Sequence, residues 1–283
     1  MKKHNLLLFF LLLTFLFTPV YAYAKNLHVQ IVPEKIRQGD VFLIKVTNAK
    51  AGQAPSALLA DTELYFNNCG EGCYIALGAI DLRSKPGTHI IRMEVGKKQK
   101  RLRLSVIKGK FPKLKITLPE DKVVLSPEDL DRTKMENERL EKIFQTASDK
   151  LWDGCFVRPL KNELSTTFGT ERIMNGKWVS IHKGVDLKGK EGEEVKASNN
   201  GRVVLAEGLF FGGNTIILDH GQGIYTIHMH LSTMKVNPGD IVSKGEVIGL
   251  VGSSGRSTGP HLHFGAKVMN VSVNPVSLMA LKL

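Results

Sequence analysis

Gly201-Arg202-Val203-Val204-Leu205-Ala206 is followed, after a short Gly-rich stretch, by Asn214-Thr215-Ile216-Ile217-Leu218-Asp219. Both runs are short, rich in β-branched and aliphatic residues, and bounded by Gly or Asn. They read as two consecutive strands. Val195-Lys196-Ala197 before them continues the pattern, as do Val236-Asn237-Pro238-Gly239-Asp240-Ile241-Val242 and Lys244-Gly245-Glu246-Val247-Ile248-Gly249 after them. No helix of useful length fits between Phe156 and Leu278. This region is expected to be an all-β domain, sandwich or barrel-like.

The chain upstream is also β-rich. Val41-Phe42-Leu43-Ile44-Lys45-Val46, Ile90-Ile91-Arg92-Met93-Glu94-Val95 and Arg101-Leu102-Arg103-Leu104-Ser105-Val106 read as strands, with turn residues at Gly39-Asp40 and Lys85-Pro86-Gly87-Thr88. A small antiparallel sandwich follows from this. Residues 126–150 change to helical period. Ser126 suits an N-cap and Pro127 the first turn, with Glu128 and Asp129 at the positive helix start. Leu130, Leu140, Ile143 and Phe144 can share one stripe. Glu136, Glu138, Arg139, Glu141 and Lys142 stay in water.

The chain start carries a different signal. Lys2 and Lys3 precede an apolar run from Leu6 to Phe17, and Ala22-Tyr23-Ala24 offers small residues at a cleavage site. This reads as a secretory signal, too short for a membrane span. The expected division is 1–24 signal peptide, 25–110 sandwich, 111–155 linker with helix, and 156–283 C-terminal domain. The fold class is mainly β.

Export bears on the cysteines. Cys69 and Cys73 flank a Gly-rich turn, and an oxidising compartment favours a local disulfide between them. Cys155 reads as a buried small apolar side chain. Three Cys in 283 residues exclude a disulfide-dense miniature scaffold, and a hydrophobic fraction of 42% excludes wholesale disorder. The formal charge of +12 allows anionic partners without choosing one.

Six of the nine His fall between 182 and 263: His182, His220, His228, His230, His261 and His263. A metal or proton-transfer site leads the possibilities. His182-x-x-x-Asp186 and His261-x-His263 are weak alone. Alternate residues on a strand share a face, so His261 and His263 would project together. His228-Met229-His230 has the same spacing, so spacing leaves two choices. Two imidazoles and one carboxylate form a common catalytic zinc set.

The combination resembles the LytM-type, lysostaphin-like M23 family of zinc metallopeptidases over about residues 156–278. The matching pieces run in order. They are Phe168-Gly169-x-x-Arg172; His182-x-Gly184-Val185-Asp186-Leu187; Gly213-Asn214; Leu218-Asp219-His220-Gly221; His230-Leu231-Ser232; Pro238-Gly239-Asp240-x-Val242-x-Lys244-Gly245; and Thr258-Gly259-Pro260-His261-Leu262-His263-Phe264. The resemblance implies that His182, Asp186 and His263 bind one zinc ion per chain. It implies that His261 is the general base and that His230 holds the oxyanion or the attacking water. His228 stands where such enzymes often have Tyr and reads as a wall residue. Arg172 either steers a peptide carboxylate or forms a plain salt bridge. Asn214 lines the cleft or reaches the metal in a resting form. His220 reads as structural. Gly252 to Pro260 reads as a loop at the cleft edge.

The function implied is a secreted endopeptidase that hydrolyses peptide cross-bridges of peptidoglycan in the periplasm or cell envelope. Partners would be peptidoglycan peptides and a regulatory envelope protein. Nucleic acid is not among them, and no stable membrane insertion follows signal cleavage. The alternative is a catalytically silent module of the same fold that binds wall and activates other hydrolases. Such modules typically have lost zinc ligands, whereas all three are present here. The N-terminal segment, without chemistry of its own, could cover the groove or bind substrate.

Overall fold

The computed structural model describes residues 26–117, 120 and 123–283. The signal segment 1–24 lies outside the described residues. In chain order the first nine strands are β1 (His28–Val32), β2 (Lys35–Arg37), β3 (Val41–Thr47), β4 (Pro55–Leu59), β5 (Thr62–Leu64), β6 (Phe66–Gly70), β7 (Cys73–Ala79), β8 (Gly87–Val95) and β9 (Lys98–Ile107). They form two sheets, ordered β1-β3-β7-β6 and β2-β9-β8-β4-β5. Neighbours are antiparallel except for the parallel β2–β9 pair.

The run Val41-Phe42-Leu43-Ile44 on β3 is continuously buried rather than alternating. Phe42, Ile44 and Val46 fill the core between the two sheets. Val41 and Leu43, with Ile75, Leu77 and Ala79 of β7, face the other way. They pack on Trp152, Phe156, Ile224, Ala266, Val268 and Leu278 of the C-terminal region. A strand covered on both faces loses polar alternation. The sandwich is thus joined to the rest of the chain by an apolar core, reinforced by Asn274 N–H donating to the Gly39 carbonyl at 2.7 Å. Cys69 and Cys73 form a disulfide in the β6–β7 turn.

Next come β10 (Lys113–Ile116) and α1 (Pro127–Phe144). The Ser126 hydroxyl caps α1 by accepting from Asp129 N–H at 3.1 Å. The helix packs Phe144, with Leu140 and Ile143 beside it, on Leu205, Leu209, Ile217 and Tyr225. Three expectations need correction. Leu130 is exposed, since it lies about three turns ahead of that contact. Glu136 is not left in water: its carboxylate accepts the Phe210 N–H at 2.9 Å and Arg132 Nε at 2.9 Å. Cys155 is also exposed, because its neighbours Trp152 and Phe156 take the buried positions in that irregular segment.

The remaining elements are β11 (Leu164–Thr166), β12 (Glu171–Met174), β13 (Trp178–Ile181), β14 (Gly184–Lys188), β15 (Glu194–Lys196), β16 (Gly201–Leu209), β17 (Gly213–Asp219), β18 (Ile224–Met234), β19 (Ile241–Val242), β20 (Val247–Val251), β21 (His261–Val268), β22 (Val271–Val273) and α2 (Pro275–Ala280). The main sheet has the order β11-β14-β21-β18-β17-β16-β19; off this path β20 pairs with β18 and β15, and β22 with β21. Of the predicted strand 236–242 only β19 forms. Pro238 has no N–H to give to a ladder, and Gly239 turns the chain at φ 98°. β20 begins at Val247 because Gly245, at φ 85°, closes a turn in which Glu246 N–H bonds Ser243 O. Along β21, Leu262, Phe264, Ala266 and Val268 are buried, which leaves 261 and 263 for the opposite face.

A separate three-stranded sheet, β10-β12-β13, stands beside this one. Here the linker strand β10 pairs in parallel with β12, Leu114 opposite Arg172 and Ile116 opposite Met174.

Candidate metal centre

β14 and β21 run antiparallel with Asp186 opposite His263. The two strands approach closely at Gly184, where a Cβ would come within 2.6 Å of the Phe264 carbonyl and 2.7 Å of His263 Nε2. Only glycine lets the partners lie this near. His182, just before β14, is held by its backbone N–H to Thr170 O at 2.9 Å.

Three atoms converge. His182 Nε2 lies 2.8 Å from His263 Nδ1 and 2.9 Å from Asp186 Oδ1, and His263 Nδ1 lies 3.0 Å from Asp186 Oδ1. His182 Nδ1 meets the Thr167 carbonyl at 3.0 Å. A carbonyl only accepts, so Nδ1 carries a proton and Nε2 is the nitrogen turned into the triangle. Each imidazole can place at most one proton among the three atoms, and the carboxylate places none. The three close contacts cannot all be hydrogen bonds, so at least one side sets two lone pairs or two protons against each other. A single shared cation satisfies all three atoms, and two imidazoles with one carboxylate suit zinc. The residues fit the metal, and they form a His/Asp group able to hold an ion.

Asp186 is buried, which alone would raise its pKa; the adjoining His182 and His263 outweigh burial and hold the carboxyl well below its ordinary range. Arg172 Nη2 binds Asp186 Oδ2 at 2.5 Å. That contact occupies one carboxylate oxygen and leaves Oδ1 to the imidazoles. Burial lowers the pKa of His263 as well.

Two further imidazoles face the same place. His261 Nδ1 donates to the Gly259 carbonyl at 2.8 Å, so Nε2 is the free base nitrogen. It stands 3.8 Å from Asp186 Oδ1. His230 Nδ1 donates to the Ser254 carbonyl at 2.9 Å. Burial lowers the His230 pKa to about 4, so the ring is neutral near pH 7 and its Nε2 accepts. The His230 and His261 ring centres are 4.8 Å apart. His230 has φ 66°, a left-handed backbone rare for a residue with a Cβ. Its N–H bonds Gly212 O at 2.8 Å.

His228 lies on the other face of the sheet. It is fully buried against Phe264, ring centres 5.3 Å apart. Neither ring nitrogen has a hydrogen-bond partner among the described residues. Burial and the neighbouring His220 lower its pKa to about 3; the Ile216 backbone opposes this weakly without completing a hydrogen bond. His220 is buried too, but it is satisfied: Nδ1 donates to Asn200 O at 2.7 Å and Nε2 accepts from the Thr226 hydroxyl at 2.8 Å. Asn214 lies outside the three-atom cluster. Its Nδ2 donates to Leu231 O at 3.0 Å, and its backbone N–H donates to Ser254 Oγ at 2.9 Å. Gly213 beside it has φ 58°, and a Cβ there would meet Ser254 at 2.3 Å. The Gly213-Asn214 step therefore seats Ser254, whose carbonyl sets the His230 tautomer.

A cavity of about 150 Å3 opens beside these groups. Asp186, His230 and His261 line it, as do Leu114 from β10, Arg172 and Arg256. The sequence reading missed the linker strand's share in this wall. It also missed the carbonyls of Thr167, Ser254 and Gly259, because backbone acceptors leave no mark on residue identity. The Gly213-Asn214 step was the one visible pointer to them.

Residues 180–275 match the profile of peptidase family M23. The DD-carboxypeptidase/endopeptidase Mpg of Neisseria meningitidis is 44% identical over 99 residues, 35% of this chain and 23% of that protein. The peptidoglycan DD-endopeptidase ShyA of Vibrio cholerae is 37% identical over 115 residues, 40% of this chain and 27% of that protein. The match thus spans about a quarter of the length of these curated relatives. A solved structure described as a putative peptidase M23 from Pseudomonas aeruginosa superposes with a TM-score of 0.67 at 27% identity, covering 86% of this chain and 94% of that one.

Proposed function

Since residues 180–275 belong to peptidase family M23, we propose that this protein is an exported, zinc-dependent endopeptidase hydrolysing peptide cross-bridges of bacterial peptidoglycan. The observation that carries the reading is the triangle of donor atoms 2.8 to 3.0 Å apart, with the free nitrogen of His261 beside it. The Vibrio relative, a peptidoglycan DD-endopeptidase, supports the substrate class, and the Neisseria relative, a DD-carboxypeptidase/endopeptidase, supports the reaction.

His182 Nε2, Asp186 Oδ1 and His263 Nδ1 would hold the zinc ion. Bound there, zinc supplies a Lewis acid that polarises the amide carbonyl and brings water toward a pKa of about 7. His261 Nε2 takes the proton from the attacking water and delivers it to the departing amine. Its Nδ1–H bond to Gly259 keeps the base nitrogen on the cleft side. Neutral His230 accepts a hydrogen bond from the same water and orients its lone pair. It can support an oxyanion only after gaining a proton itself. Arg172 keeps Asp186 turned so that one oxygen serves the cluster.

Purified sacculi give the test. The zinc-loaded chain is expected to release new amino termini, chelation should stop the release, and His261→Ala should slow it by roughly 100-fold or more. A fully loaded chain that generates no new termini overturns the reading.

A further inference from the structure

Arg256 lies in the loop between β20 and β21 and lines the cavity that holds His230, His261 and Asp186. Its guanidinium stacks on Phe211, 4.1 Å from the ring centre. No carboxylate among the described residues pairs with it. Asp186, the one carboxylate lining this cavity, is already bound to Arg172 at 2.5 Å. Arg172 lines the same cavity, and its Nε is buried without an acceptor among the described residues. Burial and the charge of Arg172 press the Arg256 pKa downward, as unbalanced positive charge should. A half-buried cation without a counter-ion is costly, and planar guanidinium donors match a carboxylate in geometry.

We propose that Arg256, with Arg172 beside it, forms a carboxylate-binding subsite that selects peptides bearing a free carboxylate next to the scissile bond. This rests on the hydrolase reading above and narrows it, since a neutral glycine bridge would leave Arg256 unpaired. Arg256 is a specificity residue. The stacking on Phe211 fixes the plane of its fork, so the donors are pre-aligned before substrate arrives.

A cell-wall peptide offers such a group in two places: the α-carboxylate of a terminal residue, or an acidic branch on the residue flanking the bond. Three synthetic peptides separate them: one with both groups free, one amidated only at the terminus, and one amidated only at the branch. Steady-state kinetics use the zinc-loaded full chain. Amidating the recognised group should cost roughly 10- to 100-fold in kcat/KM, mostly through KM. Whichever amide is penalised identifies the source.

In Arg256→Gln the penalty should shrink to about twofold or less, and Arg256→Lys should restore part of it. Calorimetric binding of the free-acid and amidated peptides to His261→Ala reads the same preference without turnover. The proposal is overturned if the wild type cuts all three peptides equally, or if Arg256→Gln keeps the full discrimination with an unchanged melting temperature. If no peptide is cut but binding still prefers the acid through Arg256, the hydrolase reading fails and the subsite stands.

Discussion

His261-Leu262-His263 and His228-Met229-His230 share one spacing and have opposite fates. On β21 the ladder is regular, so both imidazoles leave the same face while Leu262 enters the core. On β18 the ladder is broken. Ile216 pairs with His228 and Asn214 with Leu231, two steps on β17 against three on β18. The extra residue is a bulge, and His230 adopts φ 66° within it. His228 therefore stays with Phe264 on the core face, while His230 turns to meet His261. Spacing assigns a face only where the pairing is regular. A bulge can re-aim one side chain and supply an imidazole that a regular strand would send into the core.

The sharpest break in the comparison is expected at β21. His263→Ala removes a ligand atom, so zinc content measured by atomic absorption should fall to background together with peptide release. His261→Ala should keep its zinc and lose roughly 100- to 10,000-fold in kcat, the usual range for a general base. His228→Leu should leave kcat within about twofold, as a change remote from the chemistry. Equal losses at 228 and 261 would mean that the two segments do the same work.

His230 comes next, and here backbone and side chain can be separated. Asn tolerates a left-handed backbone, whereas β-branched Val does not. His230→Asn is expected to lower kcat by roughly 10- to 100-fold, the low end for a polar group that orients water. Its melting temperature should change little. His230→Val should lose similar activity and, in addition, about 1–2 kcal/mol of stability from the left-handed conformation. Urea unfolding of the two variants decides the point. If Val is as stable as Asn, the bulge does not impose the conformation assigned to it.

Much of this was legible beforehand, for reasons that particular residues make clear. The alternating burial of β21 and the runs of β16 and β17 are regular ladders, and regular ladders write themselves into residue type. β18, the longest strand, was not read as one. Its Thr226, His228, His230 and Ser232 dilute the aliphatic signal, yet three of the four are buried. The apolar run of β3 looked like an ordinary strand, and its lack of alternation was the trace of a second packed face. The union of β10 with β12 was invisible, since a four-residue strand pairing across more than fifty residues leaves no local pattern. Tautomer control by Thr167, Ser254 and Gly259 was invisible as well, because it belongs to the backbone.

The smallest effect is the one that tests whether His228 is idle. An unfolded histidine protonates near pH 6.5. In the fold, burial delays protonation of His228 to about 3 and of His220 to about 4. A lowered folded pKa means that the unfolded chain binds more protons across this window. Stability is complete above about pH 6.5 and declines as pH falls, by up to about 1.4 kcal/mol per pH unit for each imidazole. His228→Leu removes one of them. In chelator-treated protein, urea unfolding between pH 6.5 and 4.5 should show an acid slope smaller by up to about that amount. Near pH 7 the same variant should gain about 1–3 kcal/mol, because two buried nitrogens without partners disappear from the core. A loss of stability at neutral pH, or an unchanged slope, would show that His228 is held by a polar partner on the core face. The face-switching account of β18 would then need a functional reason for both imidazoles.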